Sequence, residues 1–209
     1  MSAPEASDAR EKRSRILQAA LEVCSLRGVA AARMDEVAAR AGVSKGTLYR
    51  FFRSKEDLFL ATLLEAYEEG LRIVDLGAAS RDPGQRLEAL LEGLCRVLEA
   101  VGPRMGVHYQ AWGVVANEPA FEARLYGFLE TYHRARDAEV EELIREGQRS
   151  GAFRSDVDVA ALTTGVSMLL NGFLYRASFD PGSAQPAALR ACFDAMVKTR
   201  LLADGGGDG

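Results

Sequence analysis

Cysteine is scarce in this chain. Three residues, Cys24, Cys95 and Cys192, are spread over 209 positions and form no CxxC pair. That spacing excludes a disulfide framework and a zinc ribbon. Each thiol lies among apolar residues at helical spacing, where cysteine serves as a small buried hydrophobe. Histidine is scarcer still. His108 and His133 are not at i, i+4 spacing and have no cysteine partner, so no metal site is expected. Long apolar runs are missing, and none approaches the roughly 18 residues that suggest a membrane span. The opening residues, Met1 to Asp8, lack the basic flank and apolar stretch of a signal peptide. A cytoplasmic protein without a membrane partner is the expectation. Strand signals are absent too, with no sustained period-2 alternation of β-branched residues. Neither a phosphate-cradling glycine loop nor a metal cluster is found, so no cofactor is expected and the chain does not read as an enzyme.

What is present is an ordinary globular composition, 48% hydrophobic and 27% charged, with a net charge of −4 that is unevenly spread. Residues 1–55 hold eleven Lys/Arg against six Asp/Glu, a balance of +5, and the remainder carries −9. A basic head on an acidic body points to a polyanionic partner for the head alone.

Helical periodicity runs throughout. A first helix is predicted from about Ala9 to Leu26, with Ile16, Leu17, Ala20, Leu21 and Cys24 on one stripe and Gly28 as a left-handed cap. A second runs from about Arg33 to Arg40. Gly42-Val43-Ser44 makes a tight turn, and Ser44 caps a brief third helix from Lys45 to Phe51. Ser54 and Asp57 mark the start of a fourth helix reaching about Leu76. Asp82-Pro83 opens a fifth, Gly102-Pro103 divides it from a sixth, and Glu118-Pro119 opens a long seventh closing near Ser150-Gly151. Asp158 starts an eighth, running to about Phe179, and Pro186 a ninth, ending near Leu202. Residues 203–209 read as a disordered tail. The fold class is therefore all-α. A three-helix head covers residues 1–57, and a helical body covers 58–202.

The segment from Met34 to Lys55, MDEVAARAGVSKGTLYRFFRSK, has the features of a helix-turn-helix. Glycine permits the reversal, Val43 plugs the angle, and Leu48 and Phe52 turn inward. Lys45, Gly46, Thr47, Tyr49 and Arg50 are then left outside. Lysine can donate to guanine acceptors, threonine can touch a thymine methyl, and tyrosine and arginine can donate to phosphate. Ser44, Lys55 at the start of helix four, and the basic residues Arg13 and Arg33 complete the candidate DNA-binding set. The rival reading is a helical hairpin with a solvated basic edge.

The strings Ile16-Leu17-x-Ala19-Ala20-Leu21, Met34-Asp35-Glu36-Val37-Ala38, Ala41 to Tyr49 and Phe52-x-Ser54-Lys55-Glu56-Asp57-Leu58 resemble the tetracycline-repressor (TetR) family over residues 14–63. Gly147-x-x-x-Gly151-x-Phe153-Arg154 extends the likeness. The resemblance implies nine or ten helices, a homodimer, and a repressor whose body binds an inducer. It also implies that Lys45, Thr47, Tyr49 and Lys55 stand at positions that touch DNA in relatives. Two positions depart from the pattern. Ala32 stands where a hydroxyl residue often caps helix two, and Phe51 stands where a polar ring is common.

In the body, aromatics with polar tips suit a pocket for an apolar or aromatic ligand. The candidates are Met105, His108, Tyr109 and Trp112 on helix six, Phe128 and Tyr132 on helix seven, and Asn171 and Phe173 on helix eight. Ordinary core packing is the competing explanation. Of the two histidines, one is expected to supply a pocket hydrogen bond and the other to lie on the surface. Leu162, Val166 and Leu169 with Leu189, Phe193, Met196 and Val197 form two amphipathic helices able to pair with their copies; packing within the chain is the alternative. The resulting expectation is a regulator released from a palindromic operator by a small ligand. A ligand-dependent activator, or a regulator controlled by a protein partner, is the alternative.

Overall fold

The computed structural model describes residues 3–73, 80–180 and 182–202. Its helices are α1 (Ala3–Arg27), α2 (Met34–Ala41), α3 (Lys45–Phe51), α4 (Lys55–Ile73), α5 (Pro83–Val101), α6 (Met105–Val115), α7 (Pro119–Ser150), α8 (Val159–Ala177) and α9 (Pro186–Phe193). A 3₁₀ turn, Gly102–Arg104, links α5 to α6, and α9 runs on through a π-helical turn, Asp194–Lys198, to Leu201. The described residues contain no strand, only one antiparallel bridge between Phe153 and Leu202. The all-α expectation holds.

Most boundaries follow local chemistry. The side chains of Ser44, Asp82 and Asp158 accept from Thr47, Gln85 and Ala161 N–H groups at 3.1, 2.7 and 3.1 Å, satisfying donors that a helix leaves orphaned. Ser54 does the same for Asp57 at 3.2 Å, while the Asp57 carboxylate accepts from the N–H of Arg53, the residue before the cap, at 3.1 Å. Three expectations need correction. α1 begins at Ala3 rather than Ala9, and Asp8 pairs with Lys12 one turn on within the added length. The cap of α2 is Arg33, not Ala32, and it makes no side-chain cap bond. α8 ends at Ala177, two residues early. Residues 74–76 of the predicted fourth helix and the tail 203–209 lie outside the described residues.

The chain divides into two compact units. The first comprises Met1–Tyr67 and Gly106–Phe128. Its core contains Ile16, Leu17, Ala20 and Cys24 of α1, Val37 and Ala38 of α2, Leu48 of α3, Phe52, and Leu58, Phe59 and Leu63 of α4. Burial drives the Cys24 thiol up to about 11, so it stays protonated at neutral pH. Ion pairs brace this core: Arg40 to Glu22 at 2.6 Å between α2 and α1, and Arg13 to Glu65 at 3.1 Å between α1 and α4.

The second unit comprises Glu68–Met105 and Leu129–Gly209. α5 contributes Leu87, Leu90, Leu91, Leu94 and Leu98 to its core and packs on α8 and α9. Leu143 and Ile144 of α7, Val166 and Leu170 of α8, and Leu189, Phe193 and Val197 near the chain's end complete it. Lys198 reaches Glu88 at 2.5 Å and Asp194 at 2.9 Å. The backbone N–H of Arg154 donates to Leu201 at 2.8 Å and fixes the last turn against the α7–α8 corner.

Candidate nucleic-acid interface

The first unit presents a short helix behind a tight turn. Gly42 closes α2 at φ 66°, a left-handed conformation that costs glycine little. Its N–H donates back to Ala38 and Ala39, and Val43 N–H donates to Ala38 at 3.0 Å, so the carbonyls at the end of α2 are satisfied. Ser44 then caps α3, and its hydroxyl also pairs with Thr47 Oγ1 at 2.9 Å. Gly42-Val43-Ser44-Lys45-Gly46 has the spacing of a nucleophile elbow. That device requires a strand-to-helix turn, whereas Ser44 lies between two helices and spends its oxygen on capping. Leu48 is fully buried and Phe52 nearly so, which fixes the inner side of α3.

The outer side carries the predicted set. Lys45, Gly46, Tyr49 and Arg50 are exposed and Thr47 is half-buried. Several of these cations have partners that no sequence pattern reveals. Lys45 Nζ pairs with the Asp35 carboxylate at 2.8 Å, linking the first turns of α3 and α2. Their mutual hydrogen bond holds the Asp35 carboxyl below the usual range and the Lys45 ammonium above it. Lys55 donates to the Ala30 carbonyl at 2.7 Å and lies over the Phe59 ring, so it also staples the α1–α2 turn. Arg13 is divided between Glu65 and the face of Phe52. Arg33 is exposed beside Asp35 at 3.9 Å. The structure thus gathers Arg33, Ser44, Lys45, Gly46 and Thr47 around the α2–α3 turn. Asp35, absent from the predicted set, stands among them.

The predicted ligand residues fall in both units. In the first, His108 is buried, Trp112 and Phe128 are half-buried, and Tyr109 is exposed. The inner side of α6 is His108, Ala111 and Val115, so Tyr109 does not share it. Tyr67 and Phe128 have their ring centroids 6.2 Å apart. In the second, Tyr132 is buried, while Met105, Asn171 and Phe173 are half-buried. Asn171 and Phe173 are two residues apart and so project from different sides of α8. His133, expected on the surface if His108 served the pocket, is half-buried and forms an edge contact with Tyr132.

The stripe read as a dimer face is corrected in part. Val166, Leu189, Phe193 and Val197 are buried within the chain and offer no surface to a partner. Leu162 and Leu169 are half-buried, and Met196 is exposed. Amphipathicity marks a buried stripe without saying whose helices bury it. The exposed large apolar side chains on these helices and just beyond their ends are Met168, Tyr175, Phe179, Met196 and Leu202.

Sequence reasoning missed Arg136. It is only 7% exposed and stands in the inner row of α7 with Leu129, Tyr132, Val140 and Leu143. The signal was available, because these positions recur at spacings of three and four. Among the described residues no group of His, Cys, Asp and Glu is placed to hold a metal ion, and no helix is long and apolar enough to cross a membrane.

Comparison with known proteins matches both parts of the chain. The family model for bacterial regulatory proteins of the tetR family covers residues 16–62, and that for the C-terminal part of BetI-type transcriptional repressors covers residues 83–202. The transcriptional regulator AcuR of Cereibacter sphaeroides is 32% identical over 185 residues, spanning 85% of this chain and 80% of that protein. The HTH-type transcriptional regulator AcrR of Shigella flexneri is 37% identical over 93 residues, but that match spans only 44% of this chain and 43% of AcrR. Among solved structures, a TetR transcription regulator from Haloarcula marismortui superposes with a TM-score of 0.75 at 22% identity, covering 92% of this chain and 99% of that one.

Proposed function

The chain belongs to the tetR family of bacterial regulatory proteins, and from that premise we propose that it is a repressor released from a palindromic operator by a small molecule with an apolar or aromatic body. That it is a DNA-binding transcriptional regulator follows from the family itself. The finer reading assigns residues 1–57 to DNA and residues 58–202 to effector and dimer contacts.

One observation carries the DNA-binding part: a capped, seven-residue α3 whose inner side is locked by Leu48 while Lys45, Tyr49 and Arg50 remain outside. Such a helix fits a major groove end-on, with its first residues at the base edges. Gly46 keeps that approach close, since the nearest atom to a Cβ added there is Ser44 Oγ at 4.0 Å. A homodimer sets two such helices about 34–36 Å apart, one turn of duplex. Repression is favoured because the body matches a model described as a repressor domain. Release follows if the effector prefers a conformation in which the heads leave that spacing. A tenfold loss of operator affinity corresponds to about 1.4 kcal/mol of coupling, and DNA must weaken effector binding by the same factor.

Footprinting on an operator selected from a random DNA pool, with and without apolar and aromatic compounds, tests this reading. Protection that disappears on adding a compound agrees with it. Protection that appears only with a compound makes the protein ligand-dependent in the opposite sense, and protection unchanged by any of them contradicts ligand release.

A further inference from the structure

We propose that Arg136 is the anchor for a carboxylate carried by the effector, seated beside Tyr132, His133 and Ser167 in the second unit. The inference rests on the reading of that unit as the effector-binding body and names the charge its ligand carries.

The argument begins with a buried cation. The guanidinium cannot shed its proton, so the inner side of α7 holds a permanent positive charge that must be compensated. The compensation on hand is incomplete. Nη2 meets His133 Nδ1 at 3.2 Å. Arg136 must be the donor there, so the imidazole is neutral with a lone pair on Nδ1; burial, and next the guanidinium itself, push His133 below its ordinary value. The cation also lies 5.4 Å from the centroid of the Tyr132 ring. Neither neighbour carries negative charge. Asp137 Oδ1 pairs loosely with the guanidinium at 3.6 Å, an ion pair too long to be a hydrogen bond, and leaves the guanidinium fork free for a bidentate partner. That same oxygen accepts the Ser167 hydroxyl at 2.7 Å, and the Asp137 side chain is 37% exposed to water.

A second observation lies on α8. Thr163 is 2% exposed and its Oγ1 has no hydrogen-bond partner. It stands one turn before Ser167 on the same side of the helix. A buried hydroxyl without a partner carries a desolvation cost that an incoming acceptor removes. The unpartnered Thr163 hydroxyl on α8 and the buried guanidinium on α7 suit a planar monoanion. Carboxylate matches the guanidinium fork.

The test uses the full-length protein with matched probes: straight-chain alkanoates of four to twelve carbons and arylacetates, each beside its neutral amide, measured by calorimetry and thermal shift. In the wild type a carboxylate should bind about 10- to 100-fold more tightly than its amide, as expected for charge-assisted hydrogen bonds. Arg136→Met should erase that preference while leaving amide affinity, melting temperature and operator binding near wild type. Arg136→Lys should keep part of it. Equal binding of acid and amide, or a preference that survives Arg136→Met, overturns the anchor but leaves effector sensing standing. A collapse of the melting temperature in Arg136→Met and Asp137→Asn alike makes Arg136 a structural residue and also overturns it. If no acid or amide in the series binds, the effector-body reading falls with it.

Discussion

Gly147→Ala would force a side chain into the tightest space around any described glycine. A Cβ built at Gly147 stands 1.9, 2.4 and 2.5 Å from three carbons of the Phe153 ring. Carbon atoms settle about 3.5–4.0 Å apart, so the ring must withdraw by roughly 1–2 Å. It has little room to do so. Phe153 is 2% exposed, and its N–H is tied to the Gly147 carbonyl at 3.0 Å. Its neighbour Arg154 is held by Leu201 at 2.8 Å. Expelling a buried phenylalanine ring costs about 3–5 kcal/mol. Alanine recovers about 1 kcal/mol over glycine inside a helix. The net loss is about 2–4 kcal/mol, or roughly 4–16 °C in melting temperature at about 2–4 °C per kcal/mol for a chain of this length. Circular dichroism melts of wild type, Gly147→Ala, Phe153→Ala and the double variant measure it. In the Phe153→Ala background the clash is gone, and Gly147→Ala should be neutral or stabilising by up to about 1 kcal/mol. A Gly147→Ala protein that melts at or above wild type would falsify the packing argument. So would an equal loss in both backgrounds.

Two further outcomes follow from the head. Ser44→Ala removes the α3 cap and should cost about 0.5–2 kcal/mol, with faster amide exchange confined to α3, whereas Ser44→Gly should cost only a few tenths; unchanged exchange in Ser44→Ala would mean the cap does not hold the helix. Asp35→Asn frees Lys45 and removes a carboxylate from the proposed DNA face, so binding to random DNA should tighten and the salt slope should steepen by about 1. A slope equal to wild type would show that Lys45 is not near a phosphate.

Much of the head was legible because each residue there has a local reason. Ser44 caps, Gly42 reverses, and Leu48 and Phe52 bury. What escaped were partners distant in sequence: the Asp35 carboxylate against Lys45, and the Ala30 carbonyl under Lys55. A charge can be counted in a sequence, but its counter-ion cannot. The body was less legible for a related reason. Leu189, Phe193 and Val197 have the periodicity of an interface and the burial of a core, and period alone does not distinguish the two. Arg136 was passed over because a charge in an amphipathic helix is ordinarily assigned to the outer side. Its position in the Leu129–Tyr132–Val140 row identifies it only when the row is followed through the charge.

Selection of bound DNA from a random pool tests most directly whether this chain reads DNA as a two-fold dimer. The full-length protein should enrich an inverted repeat with half-sites one helical turn, about 34–36 Å, or a multiple of it apart, and Tyr49→Ala combined with Arg50→Ala should enrich nothing. A pool that stays random with the wild type, or that yields a single asymmetric site unaffected by those substitutions, would contradict it.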